Sequence, residues 1–160
     1  MGGSAASQAP TRSVRRWAKK AGLAGTYKAW LWTSNSGPEV TFYQSPGRYI
    51  SPDLVKVANN FAHLLHGPLM APIVVTEKRE KIADLDTPIW TGWYPFDQNG
   101  MNPFYDEYTC ADWTYGEWGK WTEIGGVSFA DSYFFGKGSG LNCGIETLPI
   151  ICVQQAWLPP

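Results

Sequence analysis

The chain has 160 residues, a formal net charge of −1, and a composition 44% hydrophobic and 17% charged. That length suits one domain with its own core, the composition excludes a disordered chain, and the charge offers nothing to nucleic acid. No apolar run approaches the ~18 residues of a membrane-spanning helix, so no membrane span is expected.

Aromatic residues dominate instead: nine Trp, eight Tyr and seven Phe, accompanied by seventeen Gly and twelve Pro. Many turns with many aromatics predict short strands and long shaped loops rather than a helical bundle. Nine indoles exceed what one core of this size needs, so some are expected at the surface, available for recognition.

In chain order, residues 1–11 read as a flexible leader and 12–160 as the domain. The leader lacks the apolar run of an export signal. Ser13 is placed to cap a helix over about 14–21, closed by Gly22, with Arg12, Arg15, Arg16, Lys19 and Lys20 on its solvated face. Gly25 to Thr33 alternates, with Tyr27, Ala29 and Leu31 opposite Lys28, Trp30 and Trp32, and reads as a strand. Ser34 to Pro38 is a turn. Tyr49 to Pro52 is extended, and Val55 and Val57 mark a short strand.

Asn59 or Asn60 then caps a helix through Phe61, Leu64 and Leu65, ended by Gly67 and Pro68. Ile73 to Thr76 is β-branched and reads as a strand, and the five charges from Glu77 to Lys81 as an exposed hairpin tip. Ile89 to Gly92 is a short buried strand, Asp97 to Gly100 a turn, and Cys110 to Thr114 another short strand. Gly116 to Gly126 is a loop carrying Trp118 and Trp121, and Ile150 to Val153 a fully buried last strand. The class is α+β, with about two helices, a mixed, mostly antiparallel sheet and long aromatic loops.

Three cysteines, Cys110, Cys143 and Cys152, allow at most one internal disulfide and leave three pairings open. Ala18 to Trp30, with its Gly-Leu-Ala-Gly-Thr-Tyr-Lys-Ala-Trp run, joins Ile89-Trp-Thr-Gly92, Cys110-Ala-Asp-Trp-Thr114, and Cys143 with Pro149 to Val153. Their order and spacing resemble the endostatin-like branch of the C-type-lectin-like fold over residues 14–155. The chain is similar to an uncharacterised family of bacterial secreted proteins and lipoproteins of that branch. The resemblance implies a disulfide between Cys110 and Cys143, 33 residues apart. The family's outer bridge would join Cys152 to the position of Val14, so it is absent here, and Cys152 is expected to be a buried free thiol, with an intermolecular partner as the alternative.

No catalytic pattern emerges. Asp84, Asp86, Asp97, Asp106, Glu107, Asp112, Glu117, Glu123, Asp131 and Glu146 form no recognisable acid pair and read as turn or surface residues. Asp112 reads as a hydrogen-bond partner of loop backbone. His63 and His66, three apart on one helix, are two ligands only. Gly136 to Gly140 lacks the lysine-hydroxyl pair of a phosphate loop. Asn102-Pro103-Phe104 stands where calcium-dependent lectins of the resembled fold carry acidic or amide ligands. No metal and no cofactor are therefore expected, and no enzymatic activity.

What remains is the aromatic region 93–135, where Trp93, Tyr94, Tyr115, Trp118 and Trp121 are the expected contact residues. The expected function is a calcium-independent extracellular or cell-surface recognition module for a surface glycan or a protein. The alternative is an assembly domain of a larger surface structure, joined through the N-terminal region. A glycan-acting enzyme ranks third.

Overall fold

The computed structural model describes residues 9–93, 109–114, 116–131, 134, 136, 140–144 and 148–155. Their architecture is mixed α+β, with few helices and several small antiparallel sheets.

Helix α1 spans Ala9–Lys20, so it begins before Ser13, which lies inside it rather than capping it. Val14 and Ala18, one turn apart, are buried, while Arg15, Arg16, Lys19 and Lys20 face solvent. Lys19 and Lys20 also sit at the negative end of the helix dipole. The Gly22 amide donates to the Lys19 carbonyl and the Leu23 amide to the Ala18 carbonyl. This double closure requires a left-handed residue, supplied by Gly22 at φ 73°.

Strand β1, Tyr27–Ala29, is shorter than its alternating run suggests. It pairs antiparallel with β7, Cys152–Gln154, matching Lys28 to Val153. Beyond Ala29 the chain changes partners. The Trp30 amide donates to the Ile151 carbonyl at 2.8 Å, and the Trp32 amide to the Thr91 carbonyl at 2.9 Å. One extended segment therefore ties the last strand to the centre of the fold.

Short helix α2, Pro38–Thr41, follows the Thr33–Ser36 turn, with proline in its first turn, where no amide is needed. Strands β2, Tyr49–Ile50, and β3, Lys56–Ala58, make a bulged hairpin. Val57 is buried but Val55 is exposed, since regular pairing begins only at Lys56. Helix α3, Phe61–His66, is capped by the Asn60 side chain, which accepts from the His63 amide at 2.8 Å. Residues 73–82 turn back on themselves, with Thr76 donating to the Glu80 carbonyl and a Val75–Lys81 bridge, rather than forming a regular strand.

The third sheet joins β4, Pro88–Trp90, to β5, Trp121–Gly126, and β5 to β6, Gly140–Asn142. Half of the segment expected as a loop is thus the longest described strand, which pairs along both edges. Gly125 is the only residue type that fits its place, because an added Cβ would overlap the Phe134 carbonyl.

The core is an aromatic cluster around Trp30, which is 1% exposed. Its ring stands edge-on to Trp32 at 5.7 Å and to Phe42 at 5.3 Å, and tilted against Phe61 at 6.0 Å. Edge-to-face contacts of this kind add to simple burial. Trp30→Ala is expected to cost about 3–5 kcal/mol, a large share of a typical domain's stability. Urea denaturation at constant slope would read this, and a loss below about 1 kcal/mol would show that the cluster is not the anchor.

Candidate functional site

Residues Cys110 to Trp113 do not form the expected strand. All four have positive φ, from 51° to 63°, a left-handed turn without glycine. Each such residue costs about 1–2 kcal/mol, so the surroundings must hold the turn in place. Four constraints do so. The Thr109 hydroxyl accepts from the Asp112 amide at 3.1 Å. The Asp112 carboxylate accepts from both the Ser34 amide and the Ser34 hydroxyl. The Trp113 indole donates to the Trp32 carbonyl at 2.7 Å. The fourth is covalent: Cys110 is bonded to Cys143, with Cα atoms 5.6 Å apart.

Asp112 is thus a structural clamp: the Thr109 hydroxyl of its own loop donates to its carboxylate at 3.2 Å, and Ser34 does so from 78 residues away. It pins the Thr33–Ser36 turn to the disulfide. The bridge in turn fixes β6, because the Cys143 amide donates to the Lys120 carbonyl at 2.9 Å. Thr109 also bridges to Thr122 of β5. The C-terminal end of the turn Glu117 to Lys120 is therefore anchored to a cross-linked frame.

That frame presents two indoles to solvent. Trp118 is 74% exposed and Trp121 is 53% exposed. Trp118 lies along Gly144, where an added Cβ would come within 3.0 Å of its ring and of its backbone amide. Trp121 opens β5, paired with Asn142 and close over Gly140.

The other expected contact residues do not join them. Trp93 is half-buried, packed on the core and 6.3 Å from the Trp32 ring. It is a wall residue rather than an exposed one, and Gly136 is held beneath it. Tyr94 and Tyr115 lie outside the described residues. So do the expected turn at 97–100 and residues 137–139 within the Gly136 to Gly140 segment.

Behind the indoles lies a buried polar layer that the sequence does not announce. Thr91, Thr109 and Thr122 are fully buried, as are Glu123 at 2% and Asn142 at 6%. Glu123 is no surface acid. Strand alternation puts it on the same side as Trp121, two residues further in, where cover is complete. Recognising β5 as a strand would have located it, but the glycines around it disguise the strand.

The two histidines do not form a metal pair. The His63 ring is engaged at both nitrogens, one accepting from the Asn59 amide and the other facing the Pro68 carbonyl at 2.8 Å, so it staples its own helix ends. Among the described residues no three His, Cys, Asp or Glu side chains gather as a ligand set.

Cys152 is free, but it is exposed, not buried. Its neighbours Ile150 and Ile151 are half-buried, so the last strand is one-sided rather than fully enclosed. The residue is open to solvent at the surface, but it also lines a concave wall, and the loss of water on that side, reinforced by the Glu77 charge, pushes its thiol pKa from 9.0 up to about 12. An acid whose folded pKa is raised favours folding while protonated. Its contribution is present below pH 9 and is lost as pH rises toward 12.

Two outcomes follow. Cys152 alkylation in the folded protein should keep rising about tenfold per pH unit beyond pH 9, where an ordinary thiol levels off. A plateau near pH 9 would contradict that wall. Asp112→Ala should cost about 1–3 kcal/mol in urea, since the Ser34 amide and hydroxyl lose a charged acceptor. An unchanged midpoint would remove Asp112 from the frame.

The chain matches no family model and no curated protein, so the reading of this site rests on its own geometry.

Proposed function

We propose that this protein is a calcium-independent recognition module of the endostatin-like, C-type-lectin-like kind, acting outside the cell or at its surface on a glycan or a protein. The observation that carries this reading is the pair Trp118 and Trp121, exposed on a disulfide-anchored turn. Large apolar rings cost free energy in water, and rigid aromatics at a surface are the usual anchors of binding. Preorganisation matters as much as exposure. The bridge, the Asp112 clamp and the pairing of β5 on both edges mean little ordering is left to occur on binding. The disulfide fits an oxidising compartment, and no described helix is long and apolar enough to cross a membrane. A planar, stackable face suits a sugar ring or an extended protein segment equally.

The fold assignment is supported by the Cys110–Cys143 bridge, which the resemblance implies. It makes a covalent prediction. Val14 and Cys152 line the same cavity. Val14→Cys is expected to close the missing outer bridge with Cys152, adding about 2–4 kcal/mol. Mass spectrometry under non-reducing conditions would show two hydrogens fewer. Two titratable thiols remaining after oxidation would sink the alignment.

Binding itself is read by intrinsic fluorescence against a panel of polysaccharides and surface proteins, with and without EDTA. A saturable change is expected to survive EDTA. Trp118→Ala and Trp121→Ala should each weaken it by about tenfold or more. No response across the panel, with self-association on raising the protein concentration, would favour the assembly reading instead.

A further inference from the structure

A cavity of about 760 Å³ lies between α1 and the β1–β7 pair on one side and the two hairpins, β2–β3 and 73–82, on the other. Its size falls within the ~300–1,000 Å³ range of small-molecule sites. The floor is formed by Trp30, Val57, Leu64, Ile89, Val127 and Phe134, all buried. The rim is apolar as well, since Trp17, Tyr43, Ile50 and Leu54 line it and are exposed. A cleft that runs from exposed apolar side chains down to the aromatic core holds water poorly.

Its charged groups are few. The charged lining residues are Arg48, Arg79 and Glu77, an excess of positive charge. Both arginines are exposed, and among the described residues neither is paired with a carboxylate. Glu77 acts on Cys152 in the opposite wall. The Tyr49 hydroxyl, also in the lining, is buried without a hydrogen-bond partner. The Ser45 amide approaches it, but not in hydrogen-bond geometry. A buried hydroxyl left unmade is costly, and an acceptor oxygen on a ligand would relieve it.

We propose that this cavity binds an anionic single-chain amphiphile, its hydrocarbon tail along the apolar floor and its carboxylate received by Arg48 and Arg79. Tyr49 donates to the same head group. The site is separate from the indole pair and does not depend on the recognition reading.

Straight-chain carboxylates of increasing length, used as monomers in solution, provide the test by calorimetric titration. Affinity is expected to rise about fourfold per added methylene until the cavity is full, and then to level off. The matching alcohols should bind at least tenfold more weakly. The double variant Arg48→Glu, Arg79→Glu changes exposed side chains only and should lose the preference for carboxylates while keeping its unfolding curve. Bound carboxylate should also slow alkylation of Cys152, the only free thiol.

Several results would overturn the proposal. They are no saturable binding, equal affinity for alcohols and carboxylates, an affinity that climbs without levelling, or an unprotected Cys152. Uptake by anionic vesicles without binding of monomeric carboxylate would assign the apolar rim to a membrane surface instead. Dimerisation that shields Cys152 without added ligand would assign it to a second copy of the chain.

Discussion

The fold turns on the segment from Tyr27 to Trp32, which has to satisfy two sheets in six residues. Its first half pairs with the last strand, and Trp30 and Trp32 then hand the backbone on to Ile151 and Thr91. None of the small sheets would stand alone; two of them have only two strands. What unites them is that this one extended passage carries Trp30 and Trp32 into the centre. There Phe42 from α2 and Phe61 from α3 close on Trp30. Secondary structure is sparse, so aromatic side chains do the work that long strands do elsewhere.

The candidate site inherits its rigidity from that centre. Trp32 supplies the carbonyl that Trp113 uses, and the turn after Trp32 supplies Ser34 to Asp112. A left-handed turn of four non-glycine residues is stored strain, tolerated because core, clamp and disulfide all fix the same piece of chain. The result is a firm base beneath Trp118 and Trp121. The buried hydroxyls of Thr91, Thr109 and Thr122 fill the space between base and core.

Where local chemistry alone decides, the sequence was legible. The Gly22 stop, the Asn60 cap and the charged tip at 77–81 each follow from a residue's own backbone preference, and each is found in place. The resemblance correctly implied the Cys110–Cys143 bridge. The failures share a cause. Cys110 to Thr114 looks extended, but its geometry is imposed by Ser34 and Trp32, which local pattern cannot see. The Gly-rich stretch after Trp121 looks like a loop because its glycines mark close approach of Phe134, not flexibility. Trp93 sits beside a glycine like the exposed indoles do, yet it is held against Trp32. Cys152 is flanked by Ile and Val but faces a cavity that no sequence window reveals.

The central claim is that two indoles are for recognition and the others for architecture. The nine tryptophans give nine indole N–H signals, which makes the claim directly observable by NMR with nitrogen labelling. On adding a bound glycan or protein partner, the signals of Trp118 and Trp121 should move, while those of Trp30, Trp32 and Trp90 stay in place. Movement confined to the core indoles, with Trp118 and Trp121 unchanged at saturation, would contradict the account.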